Sequence, residues 1–319
     1  NMFALSASRL MRFNGTAWSS VFTGVALSCL WGFASDDLWV TGYGSVHHWD
    51  GSTWEEWTME GTAMTEVFGV APGDVWVAGS GGALKHYHGE AWEDFDQDPS
   101  LYITDIWASG PTDVYFTTQA SADLLHYGGT DIGTISPGHS IGYSAIWGTG
   151  PDDVWLTGSN GMVVHHDGEF WGLESLPASL GSTFGDVHVL DGAGPWVVGR
   201  WGWTCHREGS AWSCSDSIGY TNLLAVRGES ADSMAAMGNF GLAATRDASG
   251  WSATTGAPTP GSYVEGIWMT GEDDAWGYTT HYSDDPLAFY QWDGVDWTLA
   301  AVDAPHDVRD VWMDSSGEG

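Results

Sequence analysis

Histidine recurs at one phase of this chain: His48, His86, His126, His165 and His206 hold the same place in successive segments. Imidazole is a frequent ligand of zinc and copper, so five aligned copies raise metal chemistry first. A metal needs donors that converge within bonding distance, whereas copies in successive segments belong to separate strands. Within one segment, His47 and His48 alternate to opposite faces of a strand, and His86 with His88 supplies only two donors. The spacing therefore predicts no metal site, and each His is expected to bond a backbone carbonyl or a turn Asp. The acidic turns Ser35-Asp36-Asp37, Pro151-Asp152-Asp153 and Gly271-Glu272-Asp273-Asp274 carry hard oxygen donors suited to calcium. None has the spacing of an EF-hand loop, so calcium is the one cofactor left open and turn capping is its rival.

Two further groups have the chemistry of a binding site. Arg200, Trp201, Trp203 and Arg207 form a dense Arg–Trp cluster suited to stacking on a glycan or gripping a carboxylate. An aromatic anchor also recurs as Trp31, Trp107, Trp147, Trp268 and Trp312, with Phe68, His188 and Arg227 at the same place in other segments. Two residues before the anchors stand Glu66, Asp105, Asp186 and Asp310, among Cys29, Ala145, Ala225 and Gly266. If that phase faces an axis, carboxylates and aromatics line a channel fit for a cation or sugar; otherwise the anchors pack between strands. No acid departs from the repeat as a catalytic residue would, and no nucleophile elbow, zinc-protease helix, phosphate loop or Cys–His pair occurs. A carboxylate pair for glycoside chemistry remains the enzymatic alternative.

These residues are positioned by a repeat. Its unit reads hydrophobic-Trp-Gly, a polar turn, Asp-Val-Trp-x-x-Gly, a Gly-rich turn, then His-aromatic-Asp-Gly-x-x-Trp. Good copies span residues 30–54, 67–92 and 146–171, and the anchors follow one another at 37 to 44 residues. Short apolar–polar alternation between Gly, Asp and Ser turns is the period of strands, not helices. Units of this length that cannot bury both sheet faces alone stack radially as a propeller. Eight anchors occur, but the last unit stops after residues 307–319, and residues 2–18 match the missing half. The expectation is an all-β, eight-bladed β-propeller of four-stranded antiparallel blades, a single domain over residues 1–319. Its ring would be closed by a blade shared between the termini, from 307–319 and 1–21. The fifth unit, with Arg200, Trp201, Trp203 and Arg207, departs furthest from the repeat, and the wide insertion Thr279–Phe289 of the seventh is the other irregular feature.

The D-V-W-x-x-G and D-G-x-x-W repeats resemble the degenerate β-propeller repeats of secreted bacterial proteins: kelch-like, BNR-like and photosystem-II-stability-factor-like. The resemblance spans the chain and implies the fold rather than an activity. The turn Asp50-Gly51-Ser52-Thr53-Trp54 is also similar to the Asp box of sialidase propellers. It departs from that box, since Gly follows Asp directly and Trp is one residue closer.

Charge bounds the partners. With 42 Asp and Glu against 8 Lys and Arg, the net charge is -34, which excludes the basic face by which proteins hold nucleic acid. No apolar run is long enough for a transmembrane helix. Cys205 and Cys214 lie symmetrically about one hairpin turn, where a disulfide would form and indicate an oxidising compartment. The chain starts at Asn1 without a signal peptide and so reads as mature or as an excised fragment. The expected function is a noncatalytic recognition or scaffold module for a protein or carbohydrate surface. It would be extracellular, periplasmic or on the cell surface, within a larger envelope or extracellular protein. The alternative is a glycan-active hydrolase or lyase.

Overall fold

The computed structural model describes residues 1–119, 123–138, 142–177, 183–216, 218–253, 263–271, 273–280, 288–301 and 308–314. The chain divides into two compact units, Asn1–Gly142 with Asp307–Gly319, and Tyr143–His306. Apart from three short 3-10 turns, the regular elements are all strands.

In the first unit, strands Trp18–Thr23, Arg9–Phe13, Met2–Ser6 and Val308–Met313 form one antiparallel sheet. The C-terminal strand pairs directly with the N-terminal one, Phe3 opposite Trp312. Strands Ile103–Gly110, Asp113–Thr118, Leu124–Tyr127 and Ile132–Ile135 form another. Between them in sequence lies a six-stranded sheet of Leu27–Ala34, Asp37–Trp49, Trp54–Ala71, Asp74–Gly79, Leu84–His88 and Trp92–Asp94.

The second unit holds four four-stranded sheets. They are Tyr143–Gly150 with Asp153–Gly158, Val163–His166 and Trp171–Leu173; and Phe184–Leu190 with Gly194–Gly199, Thr204–Glu208 and Ala211–Ser215. Next come Leu223–Ser230 with Ser233–Gly238, Ala243–Asp247 and Gly250–Ala253; and Tyr263–Gly271 with Asp274–Thr280, Ala288–Trp292 and Trp297–Ala301.

This corrects the expected blade count. Counted as hydrogen-bonded sheets among the described residues, the propeller has seven blades, not eight. The two repeat units over residues 30–92 do not separate, because Asp37–Trp49 and Trp54–Ala71 each continue as one strand where the repeat predicts a break. Gly44 and Gly61, at φ +76 and +72, bend the chain there without ending the strand. Tyr43 then pairs with Ala63 and joins the two halves into one sheet.

Burial follows strand order. In Asp74–Gly79, Asp113–Thr118 and Asp153–Gly158 every residue after the Asp is buried, so these second strands read as unbroken apolar runs. Fourth strands such as Trp171–Leu173 are largely exposed beyond their Trp. First strands of successive sheets neighbour one another within each unit. Cys205 and Cys214 are direct cross-strand partners and form a disulfide, with Cα atoms 4.1 Å apart. Cys29 is free and half-buried. No helix among the described residues is long and apolar enough to cross a membrane. The insertion expected at Thr279–Phe289 lies mostly outside the described residues, as does Glu272 of the third acidic turn.

Candidate functional site

The histidines are built into the sheets. His48, His86, His126 and His165 each place Nε2 2.7–3.0 Å from a carboxylate oxygen of Asp37, Asp74, Asp113 or Asp153, the Asp that opens the second strand. His206 bonds the Ala193 carbonyl instead, at 2.7 Å. Each imidazole stacks on the aromatic ring opposite it: Trp39, Trp76, Tyr115, Trp155 and Trp196, at 3.8–4.5 Å between centroids. Asp153 accepts Trp155 Nε1 and His165 on one oxygen and Thr149 Oγ1 on the other, at 2.6, 3.0 and 2.6 Å. Burial opposes its anion, but these hydrogen bonds prevail and hold the carboxyl below its ordinary pKa. Asp113 behaves likewise through His126, Ser109 and Tyr115. Among the described residues, no group of three or more His, Cys, Asp and Glu is placed to hold a metal ion.

The acids before the anchors have a structural task as well. Asp310 accepts the backbone N–H of Val311 and that of Leu30 on the neighbouring first strand, both at 2.8 Å. Asp186 repeats this with Val187 and Val226, at 2.9 and 3.0 Å, and adds Arg227 Nη1 at 2.6 Å. Asp105 holds the N–H of Ile106 at 2.9 Å. Cys29 takes the same place, donating to Asp310 at 3.3 Å and receiving the Val67 N–H. Glu66 stands among them. Burial first, then Asp105 and Asp310, pushes its carboxyl well above the carboxylate range. Burial raises Asp310 to about 6 against its three hydrogen bonds.

The anchors pack on neighbouring strands. Trp312 is buried over Gly32, where an added Cβ would sit 2.6 Å from the ring, and Trp31 covers Gly69 in the same way. Trp31 meets Phe68 at 4.6 Å, and buried Trp107 lies 6.1 Å from Tyr115. Trp147 contacts His188 at 5.7 Å and lies under the Arg227 guanidinium at 5.5 Å. Trp268 is half-buried opposite Trp276. The glycine after the anchor in Trp31-Gly32 and Phe68-Gly69 makes room for the preceding anchor's ring.

The expected Arg–Trp cluster divides. Arg207 lies over the Trp155 ring at 5.2 Å and beside Glu174 at 3.3 Å, and Trp203 packs against a buried core. Arg200 and Trp201 face outward, Trp201 with 59% of its surface exposed. Trp201 belongs to the 3-10 turn Arg200–Gly202, which joins the second and third strands of its sheet. Two equivalent turns are Ser159–Gly161 and Asn239–Gly241. Their central residues Asn160, Trp201 and Phe240 all have positive φ, 60, 64 and 58 degrees. Such a turn favours Asn-Gly, as the first copy has; Trp and Phe carry the full steric cost of a left-handed backbone.

Phe240 is 56% exposed, so both aromatics leave more than half of their surface in water despite that cost. Between the two turns lies the segment Ile218–Asn222. Buried Ile218 pins it, Asn222 accepts the Trp201 N–H at 3.4 Å and the Asn239 N–H at 2.9 Å, and Tyr220 is 83% exposed at its tip. The Gly219 carbonyl lies so close to Gly202 that a Cβ there would collide with it. Trp201, Tyr220 and Phe240 thus line one end of two adjacent sheets. In sequence, Arg200 and Asp216 are the only charged residues of positions 200–202, 216–222 and 239–241. Turns at the opposite end are acidic, with Asp152, Asp167, Asp191, Asp232, Asp247 and Asp293. Sequence reasoning singled out Trp201 but missed Phe240 and Tyr220. The readable signal was an aromatic in the Asn place of a Gly-x-Asn-Gly turn.

No family model and no curated protein matches the chain. Solved structures do, and they show the fold alone. YCF48 bound to D1 peptide is similar at 12% identity and TM-score 0.59, over 92% of this chain and 94% of that one. The C-terminal WD40 domain of Sif2 aligns at 9% identity and TM-score 0.65, over 86% and 85%. A catalytically inactive virginiamycin B lyase from Staphylococcus aureus with quinupristin aligns at 11% and 0.59, over 88% and 96%. The chain is therefore a β-propeller similar to YCF48 and WD40 modules. This replaces the resemblance to eight-bladed kelch-like, BNR-like and stability-factor-like repeats. The misreading arose because Asp-Gly turns and Trp-bearing second strands meet needs common to propellers, so they do not distinguish one repeat family from another.

Proposed function

We propose that the protein is a noncatalytic recognition module that binds a protein partner through the end of the second unit bearing Trp201, Tyr220 and Phe240. One observation carries this reading: two large aromatics occupy left-handed turn positions with more than half their surface in water. Backbone strain at largely exposed aromatics is a mark of a functional surface. Aromatics and Arg in a charge-poor patch are also the composition of an interface core. A peptide-bound propeller among similar folds supports a protein partner, and the Cys205–Cys214 disulfide supports an extracellular, periplasmic or cell-surface setting. The test is affinity capture from the surrounding compartment with wild type and the Trp201→Asn/Phe240→Asn double variant. A partner retained by wild type and lost from a fully folded double variant is expected. Retention of every captured partner by the double variant would overturn the reading.

A further inference from the structure

We infer that the second unit holds a small-molecule site between its last two sheets, and that this site takes a planar organic cation, an aromatic ring bearing an ammonium group. The site lies at the acidic end of the sheets, away from Trp201, Tyr220 and Phe240, so either reading can fail without the other.

The sequence opens this site by omission. In three sheets of the unit the anchor pairs with an aromatic on the second strand: Trp147 with Trp155, His188 with Trp196, Trp268 with Trp276. In the remaining sheet the anchor Arg227 pairs with Ala235. On the third strand Ala235 meets Thr245, where Trp155 and Trp196 meet His165 and His206. This sheet therefore lacks both the indole and the imidazole that stack together in the two sheets before it.

Space remains where the rings are missing. A cleft of about 520 Å³ opens there against the following sheet, with Ala235 and Thr245 in its wall. The corresponding groove with Trp155 in its wall, against His206 and Arg207 of its following sheet, holds about 290 Å³. Small-molecule sites commonly have roughly 300–1,000 Å³, so the larger cleft suits a small organic ligand.

The lining separates by burial. Met234, Ala235 and Trp292 are buried, whereas Asp232, Asp247, Asp273 and Asp296 are exposed. The floor thus offers an indole and a thioether, which suit the face or edge of an aromatic ring. The mouth is anionic. Arg246, the one cation of the lining, pairs with Asp232 at 2.9 Å and lies over Trp196 of the preceding sheet at 4.8 Å. Asp247, Asp273 and Asp296 have no cationic partner among the described residues. Their field selects a cation over an anion, and the indole adds to its attraction. The carboxylates do not converge as metal ligands among the described residues, so the charge is spread over the mouth as an organic cation requires.

The experiment is isothermal titration calorimetry of the full chain with tryptamine, an indole carrying an ammonium arm. Indole-3-acetate keeps the ring and reverses the charge, and ethylamine keeps the charge without the ring. Tryptamine should bind at least tenfold tighter than either and weaken several-fold between 50 and 500 mM salt. Thr245→His, which restores one of the missing rings, should weaken it at least fivefold. The double variant Asp247→Asn/Asp296→Asn should do the same, while Val25→Ser, on an exposed residue of the first unit, should leave it unchanged. Circular dichroism checks that the variants are folded, and the Asp variant, altered only at exposed residues, decides the matter if Thr245→His does not fold. Absence of tryptamine binding, or equal binding of either control compound, overturns the inference. So does tryptamine binding that the folded cleft variants leave intact.

Discussion

At Trp201 and Phe240 the backbone and the side chain want different things. The left-handed turn suits Asn or Gly, and water does not suit an indole or a phenyl ring. Replacing either by Asn should therefore stabilise the fold by about 1 kcal/mol while removing recognition. Urea unfolding reads this directly, and a lower midpoint in both variants would refute it. Glu66 shows a second conflict, a carboxyl enclosed beside Asp105 and Asp310. Its folded pKa is raised, so the folded state holds a proton that the unfolded chain has lost above about pH 4.3. That contribution to stability is complete below this pH and disappears as pH rises through the folded value. Asp310, raised to about 6, acts in the same direction between about pH 4 and 6. Glu66→Gln should accordingly raise the urea midpoint at pH 8 and change it little at pH 4. An equal difference at both pH values would count against this account. His188 works oppositely, since burial and then Arg227 lower it to about 4. The stability it contributes is present above about 6.5 and lost as pH falls toward 4.

At the scale of the element, the second strand and the third are locked by an Asp–His pair laid on an aromatic ring. Asp153 collects three donors, so Asp153→Ala should cost about 2 kcal/mol after allowance for its partial exposure. Adding His165→Ala should cost much less than a second independent loss, because the imidazole's partner is already gone. Thermal unfolding of the two single variants and the double variant gives the coupling, and strict additivity would mean the pair does not act as a unit. Asp153 and Asp113 have lowered pKa values, so their contribution holds above about pH 4 and is lost as pH falls through the folded values. The third and fourth strands of the next sheet are joined covalently by Cys205–Cys214, a closure of sequence separation 9. Reduction should lower stability by about 2.5 kcal/mol, measured as the difference between melts with and without reductant.

Across the whole chain, the first unit is assembled from both ends of the sequence and the second is continuous. Strand Met2–Ser6 is buried at all five residues, with Val308–Met313 along one edge and Arg9–Phe13 along the other. Deleting residues 308–319 should expose that edge and its apolar side chains. The expected outcome is a lower melting temperature and self-association visible by light scattering. A truncated chain that melts like wild type and stays monomeric would show that the terminal strand contributes little.

Much was legible in the residues themselves. Alternation and turn chemistry are local, so strands, Asp-Gly turns, a carbonyl or turn Asp as the partner of each aligned His, the Cys pair and the complementary chain ends could all be read directly. The blade count could not. A repeat counts sequence units, whereas a sheet ends only where hydrogen bonding ends, and Asp37–Trp49 and Trp54–Ala71 carry it through. The phase of Glu66, Asp105, Asp186 and Asp310 was equally visible, but which N–H groups those carboxylates would meet depended on strands some 40 to 280 residues away in sequence. Trp201 was singled out for its type; that it stands in water in a left-handed turn beside Tyr220 and Phe240 was decided by the packing of adjacent sheets. Periodicity and turn preference act within a few residues, while exposure and convergence belong to neighbours that only folding brings together.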